Sequence, residues 1–255
     1  MPTSSKQHTQ HSTPVVLITG AARRIGAAIA RRMHNAGYKV IIHCNHSLET
    51  AETLRKELDS QRANSALALQ ADLSDVAQVR TLATTALNHW GHIEALVNNA
   101  SSFYPTPLVE ANETDWDKLF GSNLKGPYFL CQALAEALSD SRGAIINIAD
   151  IHARQPLTEH SIYCIAKAGN MMLTKSLAKE LAPSVRVNGI APGAILWPEN
   201  NAGLSDESKQ DILKKIPLGK LGSEEDIARL AHFLITSASY ISGQVIAVDG
   251  GSHLS

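Results

Sequence analysis

Seven short runs of β-branched and aliphatic residues alternate with longer stretches whose apolar residues recur at helical spacing, and few folds accept that alternation. Val15–Thr19, Lys39–His43, Ser65–Gln70, Ala95–Asn98, Ala144–Ile148, Arg186–Ile190 and Val245–Val248 read as strands. After the first, Ile25, Ile29, Met33 and Ala36 fall on one side of a helix that Gly37 ends. Leu48–Gln61 sets Leu54 and Leu58 on one side of a second helix, and Val76–Trp90 makes a third that stops at Gly91. Asp115–Ala137 reads as helix with an interruption expected at Gly126-Pro127. Ile162–Leu181 is a long helix, and Glu224–Thr236 is the last. The stretch after Pro192-Gly193 reads as irregular.

Strands separated by helices predict a parallel sheet covered on both faces. Right-handed crossovers then leave an α/β Rossmann-type, doubly wound sheet of about seven strands as the simplest closure. Residues 14–255 read as one domain, and the polar stretch 1–13 as a disordered tail. Ligands of such sheets lie beyond the carboxyl ends of the strands. That rule singles out the loops at 19–26, 43–47, 71–74, 98–104, 149–157 and 191–205.

The 255 residues carry 23 basic and 24 acidic side chains, a formal net charge of -1, which argues against a nucleic-acid binder. No apolar run is long enough for a membrane span, and Met1–Pro14 has no apolar core of a secretory signal. Cys44, Cys131 and Cys164 are far apart and odd in number, so a reducing cytoplasm is expected. No carboxylate or thiolate set converges in sequence on the close histidine pairs His43 with His46 and His89 with His92, and no metal site is expected.

Two local patterns carry chemistry. The first strand ends in Thr19-Gly20-Ala21-Ala22-Arg23-Arg24-Ile25-Gly26 and opens a helix, a turn suited to a dinucleotide pyrophosphate. NAD-binding folds usually place an acid at the end of the second strand. Here that place reads His43-Cys44-Asn45-His46-Ser47, with no acid before Glu49. Polar donors there, with Arg23 nearby, favour a 2′-phosphate and hence NADPH/NADP+. Tyr163 and Lys167 stand at i and i+4 on one helical face, where an ammonium beside a phenol is expected to lower the phenol's pKa for proton donation.

Taken together, Thr19–Gly26, Asn98-Asn99-Ala100, Asn123, Tyr163/Lys167 and Pro192-Gly193 occur in the order and spacing of the short-chain dehydrogenase/reductase family, which residues 14–252 resemble. The resemblance implies a nicotinamide cofactor and a homotetramer. It makes Tyr163 the proton donor, Lys167 its tuner and ribose contact, Asn123 the support of a relay water, and Asn98 a brace for the strand bearing the cofactor loop. Cofactor contacts would come from Gly20, Arg23, Arg24, Ile25, His43, Asn45, His46, Ser47, Asp72, Leu73, Asn98, Ala100, Ser101, Tyr163, Lys167, Pro192 and Gly193.

Two departures point further. Arg24 replaces the middle glycine of the usual turn, and Asp150 occupies the place of the usual serine, thirteen residues before Tyr163. Both resemble the pteridine reductases, as does the segment from Asn98 to Leu108; the short stretch after Leu108 resembles their bacterial members. A pterin or folate substrate is implied, held by Arg24, Ser101, Phe103, Asp150 and Tyr163, with Phe103 stacked on one pterin face. A lid is expected in Ala194–Lys215. Alternatives are a related dihydromonapterin or dihydrofolate reductase, a carbonyl (oxoacyl) reductase, and a silent dinucleotide sensor. Arg23, Arg24, His43, His46 and Lys167 are expected to form a small basic pocket opposite Asp72 and Asp150.

Overall fold

The computed structural model describes residues 13–195 and 206–254. The stretch 1–12 of the predicted tail lies outside them, as do Trp197, Pro198, Asn200, Asn201 and Gly203 of the predicted lid.

The strands are β1 (Val15–Ile18), β2 (Lys39–Cys44), β3 (Ala66–Gln70), β4 (Ala95–Asn98), β5 (Ala144–Ile148), β6 (Arg186–Pro192) and β7 (Val245–Val248). They form one sheet in the order β3-β2-β1-β4-β5-β6-β7, and every pairing is parallel. The chain order reverses between β1 and β4, so the crevice beyond their carboxyl ends is the switch point of a doubly wound Rossmann fold.

The helices are α1 (Arg24–Asn35), α2 (Leu48–Gln61), α3 (Val76–Trp90), α4 (Glu113–Phe120), α5 (Gly126–Asp140), α6 (Ser161–Glu180), α7 (Asp206–Lys214) and α8 (Glu224–Thr236). Strand residues alternate between two cores. Val16, Ile18, Val40, Ile42 and Ile146 pack with Ile29 and Met33 of α1, Leu54 of α2 and Leu234 of α8. Val15, Leu17, Ile41 and Ile145 face the other way, onto Val79 of α3, Leu134 of α5 and Leu173 of α6. Both faces are covered, which is why the strands read as continuous apolar runs.

Two expectations need correction. Helix α7 stands in the stretch that reads as irregular; its sequence is too polar to advertise an apolar face. The expected break at Gly126-Pro127 is also misplaced: Pro127 sits in the first turn of α5, where its missing N–H costs nothing. The irregularity lies just before it, a π-helical turn over Gly121–Lys125. Close packing accounts for the glycines that flank it. A Cβ on Gly121 would stand 2.6 Å from Ser74 Cβ, and one on Gly126 2.5 Å from Leu73 O. The widened turn buries Asn123 completely.

Candidate active site

A cleft of about 530 Å³ opens beyond the carboxyl ends of β1, β2 and β4. Its lining includes twelve of the predicted residues: Gly20, Arg23, Arg24, Ile25, His43, Asn45, Asp72, Leu73, Ala100, Ser101, Phe103 and Tyr163. His46, Ser47, Asn98, Asn123, Asp150, Lys167, Pro192 and Gly193 are not part of that lining. His46 is exposed and Ser47 half-buried where the chain turns into α2.

The β1–α1 turn forms the floor. Gly20 has a φ of 61°, and a Cβ there would stand 2.8 Å from Ala100 Cα. On Gly26 a Cβ would lie 2.3 Å from Gly20 O. The turn is held from β4. Thr19 Oγ1 accepts the N–H groups of Asn99 at 2.9 Å and Ala100 at 3.0 Å, while Asn99 Nδ2 donates to the carbonyls of Thr19 and Gly20. No side chain caps the start of α1, so its first N–H groups face the cleft unpaired by a cap. Arg24 adopts a φ of 51°, the left-handed region, where the common family pattern has glycine. An L side chain there costs about 1–2 kcal/mol, retained at the cleft rim.

His43 differs in part from expectation. It is buried; Nδ1 accepts the Gly20 N–H at 3.2 Å and Nε2 lies 3.0 Å from Ala71 O. Burial pulls its pKa down to about 4, so it is neutral near pH 7 and adds no charge to the expected basic pocket. The cationic side chains in the cleft lining are Arg23 and Arg24, both exposed. Arg23 Nη2 donates to Thr50 Oγ1 at 3.3 Å and so leans over the β2–α2 connection.

Deeper in, Tyr163 Oη donates to Asp150 Oδ2 at 2.6 Å. The other oxygen, Oδ1, accepts His152 N–H at 2.8 Å and caps the 3₁₀ turn Ile151–Ala153. One carboxylate thus caps the start of a turn and holds the phenol. Lys167 Nζ donates to Ile148 O at 2.9 Å and lies 5.7 Å from the Tyr163 ring centroid. Burial pulls its pKa down to about 8, against the attraction of Asp150. The Tyr163 phenol is pushed up, first by burial and then by the Asp150 charge and hydrogen bond. The expected lowering by Lys167 is therefore overridden in this arrangement, first by burial and then by the carboxylate that the phenol bonds, while the lysine bonds a carbonyl.

Ser101 Oγ donates to Asn123 Oδ1 at 2.7 Å, and Asn123 Nδ2 donates to the carbonyls of Ser102 and Leu119. The carbonyl of Asn123 accepts Asn170 Nδ2 at 3.1 Å. Asn98 Nδ2 donates to Asn147 Oδ1 at 2.9 Å, which fastens β4 to β5; the β1–α1 turn itself is held by Asn99. Gly193 lies against β7, where a Cβ would stand 2.5 Å from Asp249 Cβ. Sequence reasoning gave no role to Asn99, to Ser102 and Ser122 of the lining, or to His160. The tandem Asn98-Asn99 at a strand end was the available signal for the first.

A parallel doubly wound sheet with a glycine turn at its switch point and a buried Tyr-Lys pair beside it defines a dinucleotide-type oxidoreductase. The comparisons place it more narrowly. A family model described as enoyl-(acyl carrier protein) reductase matches residues 20–253. Pteridine reductase 1 of Leishmania tarentolae is 37% identical, covering 96% of this chain and 98% of that one. The 3-oxoacyl-(acyl-carrier-protein) reductase FabG of Staphylococcus aureus is 36% identical, with 95% and 99% covered. Its counterpart in Staphylococcus epidermidis is 35% identical, with 93% and 98% covered. The chain belongs to the short-chain dehydrogenase/reductase family, whose members are oxidoreductases that use a nicotinamide dinucleotide. Its alignment with the Leishmania protein runs over 287 positions, more than the 255 residues of this chain, so that relative carries insertions absent here. Among the described residues, no helix is long and apolar enough to cross a membrane.

Proposed function

We propose that the protein is an NADPH-dependent pteridine reductase that reduces C=N bonds of dihydropterins, and of oxidised pterins and folates, to the tetrahydro level. The observation that carries this reading is the carboxylate bonded to Tyr163 at 2.6 Å, where the wider family has serine. A serine hydroxyl suits a carbonyl oxygen, to which it donates. A carboxyl can take a proton from solvent, pass it to a ring nitrogen, and accept hydrogen bonds from amino and amide edges.

The residues present fit the cofactor. Gly20 and Gly26 leave backbone where side chains would fill the floor, and the uncapped start of α1 with Arg23 and Arg24 suits phosphate oxygens. Asn45, His46 and Ser47 put donors, and no carboxylate, where a 2′-phosphate would lie. When bound, NADPH supplies hydride to the carbon of the C=N bond. Tyr163 and Asp150 hold the proton destined for nitrogen, and Lys167 is fixed beside them by Ile148 O. Ser101 and Asn123 hold the loop that carries Phe103, whose ring offers a flat surface on the cleft wall.

The second reading is a 3-oxoacyl reductase, favoured by the staphylococcal relatives, which are as similar as the Leishmania protein. Asp150 speaks against it. Following NADPH oxidation with biopterin, dihydrobiopterin, dihydromonapterin, folate, dihydrofolate and an acetoacetyl thioester separates the two. Turnover of the thioester alone refutes the pterin reading, and turnover of dihydromonapterin or dihydrofolate alone narrows it. A cytoplasmic homotetramer belongs to the same proposal. It is supported by three free cysteines and by Trp116, Tyr128, Ile165 and Met172, 42–60% exposed on α4, α5 and α6. A monomer by light scattering would remove that part.

A further inference from the structure

Phe103 is not a lone ring on the cleft wall. It stacks on the His160 imidazole, with centroids 4.7 Å apart and planes 17° from parallel, and meets Tyr163 edge-to-face at 4.8 Å. It nevertheless remains 54% exposed. His160 is itself held in place, its Nδ1 lying 2.7 Å from Thr158 O. A carbonyl can only accept, so that nitrogen carries the proton and the ring is fixed in one orientation. The preceding residue, Glu159, adopts a φ of 62°, and its carbonyl accepts the Thr106 N–H at 2.6 Å. The turn ahead of α6 is thereby tied to the loop after β4, with the two rings face to face between them.

We propose that His160 is a positioning residue for substrate: it backs Phe103 so that the ring stands ready as a stacking platform, and so sets the preference for flat heteroaromatic substrates. This rests on the pteridine reading above. An exposed phenylalanine without backing samples several rotamers, and a ligand that stacks on it must first freeze one. Backing removes that cost before binding. His160 is not part of the cleft lining, so its effect falls on substrate affinity and leaves the chemical step alone.

The test uses the full chain as His160→Ala and His160→Phe, with dihydrobiopterin as the probe and NADPH affinity measured separately. An aromatic pair is worth about two- to tenfold in an equilibrium constant. His160→Ala should raise the dihydrobiopterin KM by that amount, with kcat and NADPH affinity within about twofold of wild type on the same scale. His160→Phe should recover most of the loss. A fall in kcat at constant KM, an unchanged KM in His160→Ala, or no recovery in His160→Phe overturns the inference while leaving the pteridine reading in place. Wild-type enzyme that reduces no pterin overturns both.

Discussion

Replacing Lys167 by methionine tests whether the site buries a titratable ammonium. Lys167 is 2% exposed, and burial pulls its pKa from 10.5 to about 8. Between those values the unfolded chain binds a proton that the folded chain does not, so this residue's contribution to stability rises with pH. Below pH 8 the folded protein carries the full cost of burying the charge, on the order of 3 kcal/mol at 1.36 kcal/mol per unit. Between pH 7 and pH 9.5 the two-state linkage relation returns about 2 kcal/mol of that cost. Lys167→Met lacks the ionisable group. Its lost packing and the unpaired Ile148 carbonyl are independent of pH and cancel in the comparison. Urea unfolding of both proteins at several pH values should show the stability of wild type relative to the variant rising by about 2 kcal/mol over that range. By melting, this is a relative gain of roughly 4–8 °C. A difference that stays flat, or falls with pH, refutes the placement of Lys167 in a dry site.

Other outcomes follow from the same geometry. Gly26→Ala pushes a Cβ to 2.3 Å from a backbone oxygen that cannot yield, so it should cost about 1–3 kcal/mol by melting and weaken NADPH binding by titration. Tyr163→Phe should abolish turnover while NADPH affinity by fluorescence persists; unchanged turnover removes the tyrosine from proton delivery. Replacing His46 and Ser47 with alanine should weaken NADPH more than NADH, and equal losses would remove the 2′-phosphate reading. Asp150→Ser should cut pterin turnover by about a hundredfold or more, the scale of a lost proton-transfer group. Full activity would show that the carboxylate is a turn cap and nothing else.

Much of this was legible in the chain because the parallel sheet writes itself as continuous apolar runs and because Gly20, Gly26, Tyr163 and Lys167 mark loops at fixed places in that order. Three parts were not legible. A π-helical turn has no residue signature, so the sequence points to a break at Gly126-Pro127, whereas packing against Leu73 and Ser74 places it earlier. His43 is neutral because it is buried, and what buries it comes from segments far apart in sequence, at Gly20 and Ala71. The upward push on the Tyr163 phenol comes first from burial and then from the charge and 2.6 Å hydrogen bond of Asp150, whereas spacing alone points to the lysine. In each case the deciding contact joins residues that no local pattern connects.

On the proposed reading, the carboxylate paired with Tyr163 suits this chain to the reduction of pterin C=N bonds. The most direct measurement is the ratio of kcat/KM for dihydrobiopterin to that for an acetoacetyl thioester, with NADPH as reductant. The expected ratio is far above one. A ratio below one, with robust turnover of the thioester, would contradict it.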